Sequence, residues 1–571
     1  MRATVVSERS LSPNDEPVGG EGVTSWLCAL AIAALVAIVY WPGVHGFWGR
    51  DDFMQLAFVR LLGTPWSLFT HDYFPVLGSV FRPLGVASMW LCEVLFGTRY
   101  QVHAIADLVL HASVGLALFG LLRRAAIPRT LAVLCTLLFA LHPVVIGTAL
   151  WWSARFDLLA TLFVLLAVRA ALDYRERRGT SALAWSFMAA LAAMLSKEIG
   201  VATLVPISLL WLRWAWMEPV HRAKALRAIA WVWLCAAIYF GWRWWVLGTP
   251  SSGLTGSMPL THAIAKGLLD WSRQMPGYLL FWARLDSLQR MVLALALVSA
   301  LVAIGAAVLR RRVPLDWHRH VDLALCGACL LVLPALLQAP VAALNGAPLR
   351  ADVSVIETAM QSRLYYLGIA GLVVALAATL APIWAASALR WRAAMLAPLA
   401  LAAITFACVS HQSASAFAQR SVEISAVARA ADAAVERLDL PQSRCHVVFL
   451  GVEPAPEWSI YVSMDSIIKA LSPDLDHVKH CYFHADYVTY FYLLAAPAGP
   501  AEAAPYRPLE IGGKTIPARR IGDLVIDYLS PPARIDAREL APVRFLRYRD
   551  GRFDDVSADV ASGRLPVALR Y

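Results

Sequence analysis

Asp51 and Asp52 stand side by side just past an apolar stretch that runs from Trp26 to Trp41. An isolated Asp-Asp is ordinarily a solvated turn. Beside an apolar surface the pair is partly desolvated, which raises carboxylate basicity and suits one of the two to act as a general base. The second carboxylate can orient a substrate or help hold a divalent cation. Arg82, in Phe81-Arg82-Pro83-Leu84, either snorkels to a membrane surface or grips a phosphate with its planar fork. Asp107 and His111 are four residues apart and share a helix face. His142-Pro143, Arg155 with Asp157, and Lys197-Glu198 fall at the ends of apolar segments. Charges this close to hydrocarbon are costly, so they mark either a site or ion pairs between helices. Several of them fall on the same side as Asp51.

The elements that must position these residues are membrane helices. Of 571 residues, 59% are hydrophobic and 16% charged, and the mean hydropathy is +0.59. Soluble domains carry about 45–50% apolar and about 25% charged residues. The apolar residues fall in blocks long enough to cross about 30 Å of hydrocarbon. Eleven blocks read as spans: 25–42, 103–122, 130–147, 154–172, 181–196, 199–216, 227–247, 290–309, 321–338, 364–384 and 393–410. The net charge of +10 comes mainly from Arg and Lys in the short loops between blocks, which is a topology signal and not a nucleic-acid patch. The clusters are Arg123, Arg124 and Arg129; Arg175, Arg177 and Arg178; Arg222, Lys224 and Arg227; Arg310, Arg311 and Arg312; and Arg390 and Arg392. All lie on one side if the N-terminus is cytoplasmic.

Residues 1–23 then form a polar, disordered cytoplasmic tail, and the first apolar stretch, with no cleavage site after it, is a retained helix. Residues 24–410 form the transmembrane domain, with a long first external loop at 43–102 and further ones at 248–289 and 339–363. Leu84 to Phe96 suits the membrane interface. Residues 411–571 lie outside and read as one α/β domain: a helix at 417–438, a strand from Cys445 to Val452, and a second strand from Asp523 to Leu529. Cys445 and Cys481 belong to this polar region, where an oxidising compartment would permit a disulfide between them. Cys326 and Cys329 sit inside a span as small core residues. His477, His480, Cys481, His484 and Asp486 cluster without the paired spacing of a zinc site.

In its first half the chain resembles the GT-C glycosyltransferases, multi-spanning enzymes that use polyprenyl-phosphate-linked sugars. The likeness runs from about Asp51 to Pro206, with an echo at 361–367, and is nearest to the tetratricopeptide-containing O-mannosyltransferases and their bacterial relatives. Asp51-Asp52 resembles their external Asp-Asp. Phe81-Arg82-Pro83-Leu84 resembles an aromatic-Arg-Pro-Leu stretch. Asp107 and His111 resemble an Asn-x-x-x-His, with Asp in place of Asn. The run from His142 and Pro143 through Trp151, Ser153, Arg155 and Asp157 resembles the longest signature, and Ser196-Lys197-Glu198 a following Ser-Lys-Glu. Arg363, Tyr365, Tyr366 and Leu367 resemble a late Glu-Arg-x-x-Tyr-Leu, without its Glu. Val145 and Gly147 replace the usual His and Glu, and the repeat domain is absent.

The resemblance implies a GT-C-like fold in a bacterial inner membrane and an inverting transfer on the periplasmic face. A polyprenyl-phosphate-linked sugar is the donor, and a hydroxyl of a protein or envelope glycan is the acceptor. It implies Asp51 or Asp52 as base, with Arg82, His142, Arg155, Asp157, Lys197, Glu198, Arg363 and Tyr366 at the donor and Asp107 and His111 in support. A divalent cation is compatible with this chemistry and not required by it. The rival classes are a lipid or polysaccharide transporter, which internal repeats and mid-bilayer charges would favour, and a non-catalytic envelope assembly factor.

Overall fold

The structure, a computed structural model, describes residues 18–49, 51–72, 80–177, 179–248, 260–309, 317, 320–345, 355–441, 444–452, 463–485, 491–495, 507–511, 514–530 and 543–565. Most of the expected tail, Arg178, Arg310, Arg311, Arg312 and Asp486 lie outside them.

Hydrocarbon offers backbone groups no water, so apolar blocks satisfy themselves as helices. The first is α1 (Val18–Tyr40). In the segment expected to be the first external loop lie α2 (Asp51–Leu61) and α3 (Pro83–Phe96). Then follow α4 (Tyr100–Arg124), α5 (Arg129–Ala140), α6 (Ile146–Ala149), α7 (Arg155–Arg177), α8 (Thr180–Ser196), α9 (Leu204–Met217) and α10 (Arg222–Leu247). The rest of the bundle is α11 (Leu260–Leu280), α12 (Ser287–Leu309), α13 (Val321–Asn345), α14 (Val355–Ser362), α15 (Tyr366–Ala385) and α16 (Leu389–Val435). Ten of the eleven expected spans are helical throughout, and the one at 130–147 is broken at Leu141 and His142. Among the described residues, eight helices are long and apolar enough to cross a membrane, or nine if α5 and α6, bent by 48°, form one span. The other two expected spans fall short for physical reasons. Charges at both ends of α7 and at Arg169 interrupt its apolar run, and α8 has 17 residues. The two pack against each other within the bundle.

Two further differences concern the loops. The external segment expected at 248–289 contains α11, and the helix expected at 417–438 is the end of α16. That helix runs 47 residues from the membrane into the C-terminal region.

The C-terminal region begins with β1 (Cys445–Leu450), α17 (Met464–Leu471) and α18 (Leu475–Val478). It continues with β2 (Cys481–Ala485), β3 (Phe491–Ala495), β4 (Arg507–Pro508), β5 (Glu510–Ile511), β6 (Lys514–Thr515), β7 (Arg519–Ile521), β8 (Leu524–Ser530), β9 (Val543–Arg549), β10 (Arg552–Asp555) and α19 (Ser557–Ala561). One sheet has the order β10-β9-β1-β2. Here β1 runs parallel to both neighbours, and Cys445 is opposite Cys481. All six residues of β1 are buried, as expected of a parallel strand covered on both faces. A second sheet, β3-β8-β4 with β7 also on β8, is antiparallel, and β5 pairs with β6. Asp465, wholly buried at the start of α17, joins the two main sheets. It accepts from Phe483 N of β2 (3.2 Å) and Leu493 N of β3 (2.8 Å), and Lys469 Nζ neutralises it at 2.7 Å. One hydrophobic core runs without a break from Ile32 in α1 to Phe553 in β10.

Candidate functional site

Three of the interruptions in helix geometry carry candidate site residues. The first follows α5. Pro143 has no N–H to continue the helix, so the chain turns at His142 and passes through short 3₁₀ turns to Arg155. The second follows α8. Lys197 is extended (φ −161°, ψ 149°), and Gly200 lies so close to the Ala193 carbonyl that a Cβ would overlap it. The third is the 3₁₀ turn Arg363–Tyr365 before α15.

The segment Trp151–Asp157 is the spine of the site, and alternate residues reach four different parts of the chain. The Arg363 guanidinium lies over the Trp151 ring, 4.4 Å from its centroid. Ser153 donates its backbone N–H (2.9 Å) and its Oγ–H (2.6 Å) to Asp52 Oδ1. Arg155 Nε donates to Asp107 Oδ1 at 2.6 Å. Asp157 receives Lys197 Nζ on both oxygens, at 2.6 and 2.7 Å. Between these, the Phe156 ring lies beneath Arg82 at 5.3 Å.

The cations form one cluster. Arg82 grips Glu198 Oε2 through Nε (2.9 Å) and Nη2 (2.8 Å). Arg243 Nη1 lies 3.4 Å from Glu198 Oε1 and donates to Tyr239 Oη at 3.3 Å. The positive charges of Arg82 and Arg363 both act on Lys197. Among the described residues no carboxylate pairs with Arg363, and its buried Nε has no hydrogen-bond partner. Among the described residues, four cations, Arg82, Lys197, Arg243 and Arg363, thus face two carboxylates, Asp157 and Glu198, a net charge of +2.

The two loop carboxylates occupy different environments. Asp51 opens α2 and is half-buried. Asp52 is 2% exposed and accepts from Gly49 N (3.2 Å) as well as from Ser153. Burial pushes its carboxyl up to about 7, against the opposing hydrogen bonds from Ser153 and Gly49; Asp51 adds a smaller upward push.

Other expected residues are committed elsewhere. Arg155 is buried with Asp107, donates through Nη1 to the Ser88 carbonyl and through Nη2 to the His103 carbonyl, and also hydrogen-bonds Cys92, so it braces the spine. Asp107 and His111 share a face of α4 but serve separate partners. His111 Nδ1 meets Tyr366 Oη at 2.7 Å, and Nε2 meets the Ala140 carbonyl at 2.9 Å. His142 Nε2 meets the Leu279 carbonyl of α11 (2.8 Å), and Nδ1 accepts from Val144 N (3.1 Å), so both ring nitrogens cap backbone. Cys445 and Cys481 form a disulfide. His446 and His484 hydrogen-bond each other at 2.9 Å. Among the described residues no group of three or more His, Cys, Asp or Glu side chains is arranged to hold a metal ion.

Arg243 and the tether role of Ser153 were missed in the sequence. Arg243 lies within the apolar block 227–247, and the rule that marked Lys197, a charge inside hydrocarbon, applies to it equally. Nothing in the sequence pairs Ser153 with Asp52, 101 residues away.

No protein-family model matches the chain, and no curated protein sequence matches it. Among solved structures the chain is similar to ArnT from Cupriavidus metallidurans, a structure determined with undecaprenyl phosphate bound. Identity is 14%, with 90% of this chain and 98% of that chain covered, at a TM-score of 0.34.

Proposed function

We propose that the protein is a multi-pass membrane glycosyltransferase that moves a sugar from a polyprenyl-phosphate donor to an acceptor hydroxyl, with inversion. The observation that carries this is the +2 cluster joined through Trp151–Asp157 to a pair of loop carboxylates. The donor is a phosphodiester with one negative charge. The acceptor oxygen attacks the anomeric carbon, and the bond from that carbon to the phosphate oxygen breaks. The electron pair goes to the phosphate, which leaves as a monoester with a second negative charge. Preorganised positive charge stabilises that developing dianion more than the starting diester, which is how it lowers the barrier. A phosphate monoester has a second pKa of about 6, so its departure needs no acid at neutral pH.

Asp51, the more accessible carboxylate, removes the acceptor proton. Asp52, held by Gly49 and Ser153, fixes the start of α2 against the spine. Arg82, Lys197, Arg243 and Arg363 receive the phosphate, Asp157 and Glu198 hold those cations in place, and Tyr366 with His111 supports the turn at Arg363.

The site faces the periplasm in this proposal. Arg175 sits near the opposite end of α7 from Arg155, and Arg123, Arg124 and Arg129 lie where α4 ends and α5 begins, as the positive-inside rule places a cytoplasmic face. The Cys445–Cys481 disulfide fits an oxidising compartment for the C-terminal region.

The test compares envelope glycans by mass spectrometry in cells making wild-type protein or Asp51→Asn at equal expression. Loss of one defined sugar, with undecaprenyl phosphate binding retained by the variant, is the expected result. Identical glycans for wild type, Asp51→Asn and a strain lacking the protein would exclude the transferase.

A further inference from the structure

The C-terminal region does not stand apart from the site. It grips both ends of the segment that carries the two carboxylates. At the far end of α2, Arg60 Nη1 donates to the Lys469 carbonyl (2.8 Å) and the Ala470 carbonyl (3.1 Å), in the last turn of α17. These are carbonyls that a helix C-terminus leaves unpaired, and a cation there also meets the negative end of the helix dipole. The same guanidinium lies 3.8 Å from Glu93 of α3 and within electrostatic reach of Asp432 of α16, whose Oδ1 is buried without a hydrogen bond. One side chain therefore ties four helices together. Beyond α2, the turn before β8 interlocks with residues 62–67. Gly63 and Gly522 both have positive φ (72° and 59°), and a side chain on either would strike Asp523 or Ser67 respectively. Arg519 of β7 then pairs with Asp72 at 3.3 Å. Before α2, Phe47 N donates to Ser421 Oγ of α16 (2.9 Å), and Arg429 lies over the Phe47 ring (5.0 Å).

An 11-residue helix is too short to hold its own direction or form in isolation. We infer that the C-terminal region is a clamp that aims α2, and that Arg60 is the positioning residue through which it sets the placement of Asp51. The inference rests on the transferase proposal. The lever arm is the length of α2 from Arg60 to Asp51, about 14 Å at 1.5 Å per residue. A tilt of about 4° about the Arg60 end moves Asp51 by about 1 Å, and a displacement of that size can cost about 100-fold in rate.

The experiment uses the full-length protein carrying Arg60→Ala, Arg60→Lys, Arg519→Ala, or Arg552→Ala as a control at an exposed site of β10. Three readouts are taken: hydrogen exchange of α2 against α4, binding of undecaprenyl phosphate, and the envelope glycan by mass spectrometry. Arg60→Ala is expected to speed exchange in α2 while α4 stays protected, to leave lipid binding within about 2-fold, and to cut the glycan about 10- to 100-fold. Arg60→Lys keeps a donor for the α17 carbonyls and recovers part of that loss. Arg552→Ala changes nothing. The inference is overturned if α2 loosens and the glycan is unchanged, or if α2 keeps its protection in Arg60→Ala. Should Arg60→Ala fail to accumulate, Arg60→Lys and Arg519→Ala decide by the same criteria. A wild type indistinguishable from Asp51→Asn would sink the transferase proposal instead.

Discussion

Arg363 gives the sharpest test of the charge argument, because it is the one member of the cation cluster with no carboxylate partner among the described residues. Replacing it with Ala lowers the net charge of the cluster from +2 to +1 and leaves the Lys197–Asp157 and Arg82–Glu198 pairs in place. A unit charge at 4 Å contributes about 4 kcal/mol at an effective dielectric of about 20, and at twice that distance about 2 kcal/mol. A polyprenyl phosphate monoester, mostly doubly ionised at pH 8, carries one more negative charge than a polyprenyl phosphodiester. Loss of Arg363 therefore costs the monoester about 2–4 kcal/mol more than the diester, a relative weakening of about 30- to 700-fold at 1.4 kcal/mol per decade. The assay measures binding of both lipids to purified wild type, Arg363→Ala and Arg363→Lys at pH 8. Wild type should prefer the monoester, Ala should narrow the preference by that factor, and Lys, which keeps the charge but not the flat contact with Trp151, should narrow it much less. Equal losses for the two lipids would show that Arg363 recognises shape or chain and not phosphate charge. The mechanism would then lose its main source of barrier lowering.

Two further outcomes follow from the same geometry. Ser153 holds the ionised form of Asp52 and so opposes the upward push of burial, which leaves the group at about 7. Activity should fall as pH drops through about 7, where protonation weakens the three contacts that fix α2. Ser153→Ala removes a hydrogen bond to a charged group worth about 1.5–3 kcal/mol. At 1.36 kcal/mol per unit, that moves the acid limb of the pH–rate curve upward by about one to two units while the alkaline plateau remains; an unmoved limb would exclude Asp52 as the titrating group. Asp107→Asn leaves the buried Arg155 without its counter-charge and should destabilise the bundle by about 3–5 kcal/mol, whereas Asp107→Leu with Arg155→Met should recover most of that, read by thermal unfolding in detergent.

Much of the molecule was legible in its sequence, for reasons that are local. Length and apolarity dictate helices in hydrocarbon, so the blocks at 103–122, 290–309 and 364–384 appear as α4, α12 and α15. A continuous apolar run of strand length became the buried strand β1. Charged residues beside apolar blocks marked Asp157, Lys197 and Glu198, because few physical reasons keep a charge there.

Only the tertiary structure decided which charges face one another. His142 and Arg155 look as available in the sequence as Lys197 or Arg363. Packing spends His142 on two backbone groups and Arg155 on Asp107, and brings Arg243 from inside an apolar block to Glu198. The grip of α17 on Arg60 is equally invisible, since it joins residues more than 400 positions apart through carbonyls that any sequence possesses. Side-chain type fixes what a residue is able to do. Which of those abilities is left over for a substrate depends on the partners that folding supplies, and those partners are distant in the chain.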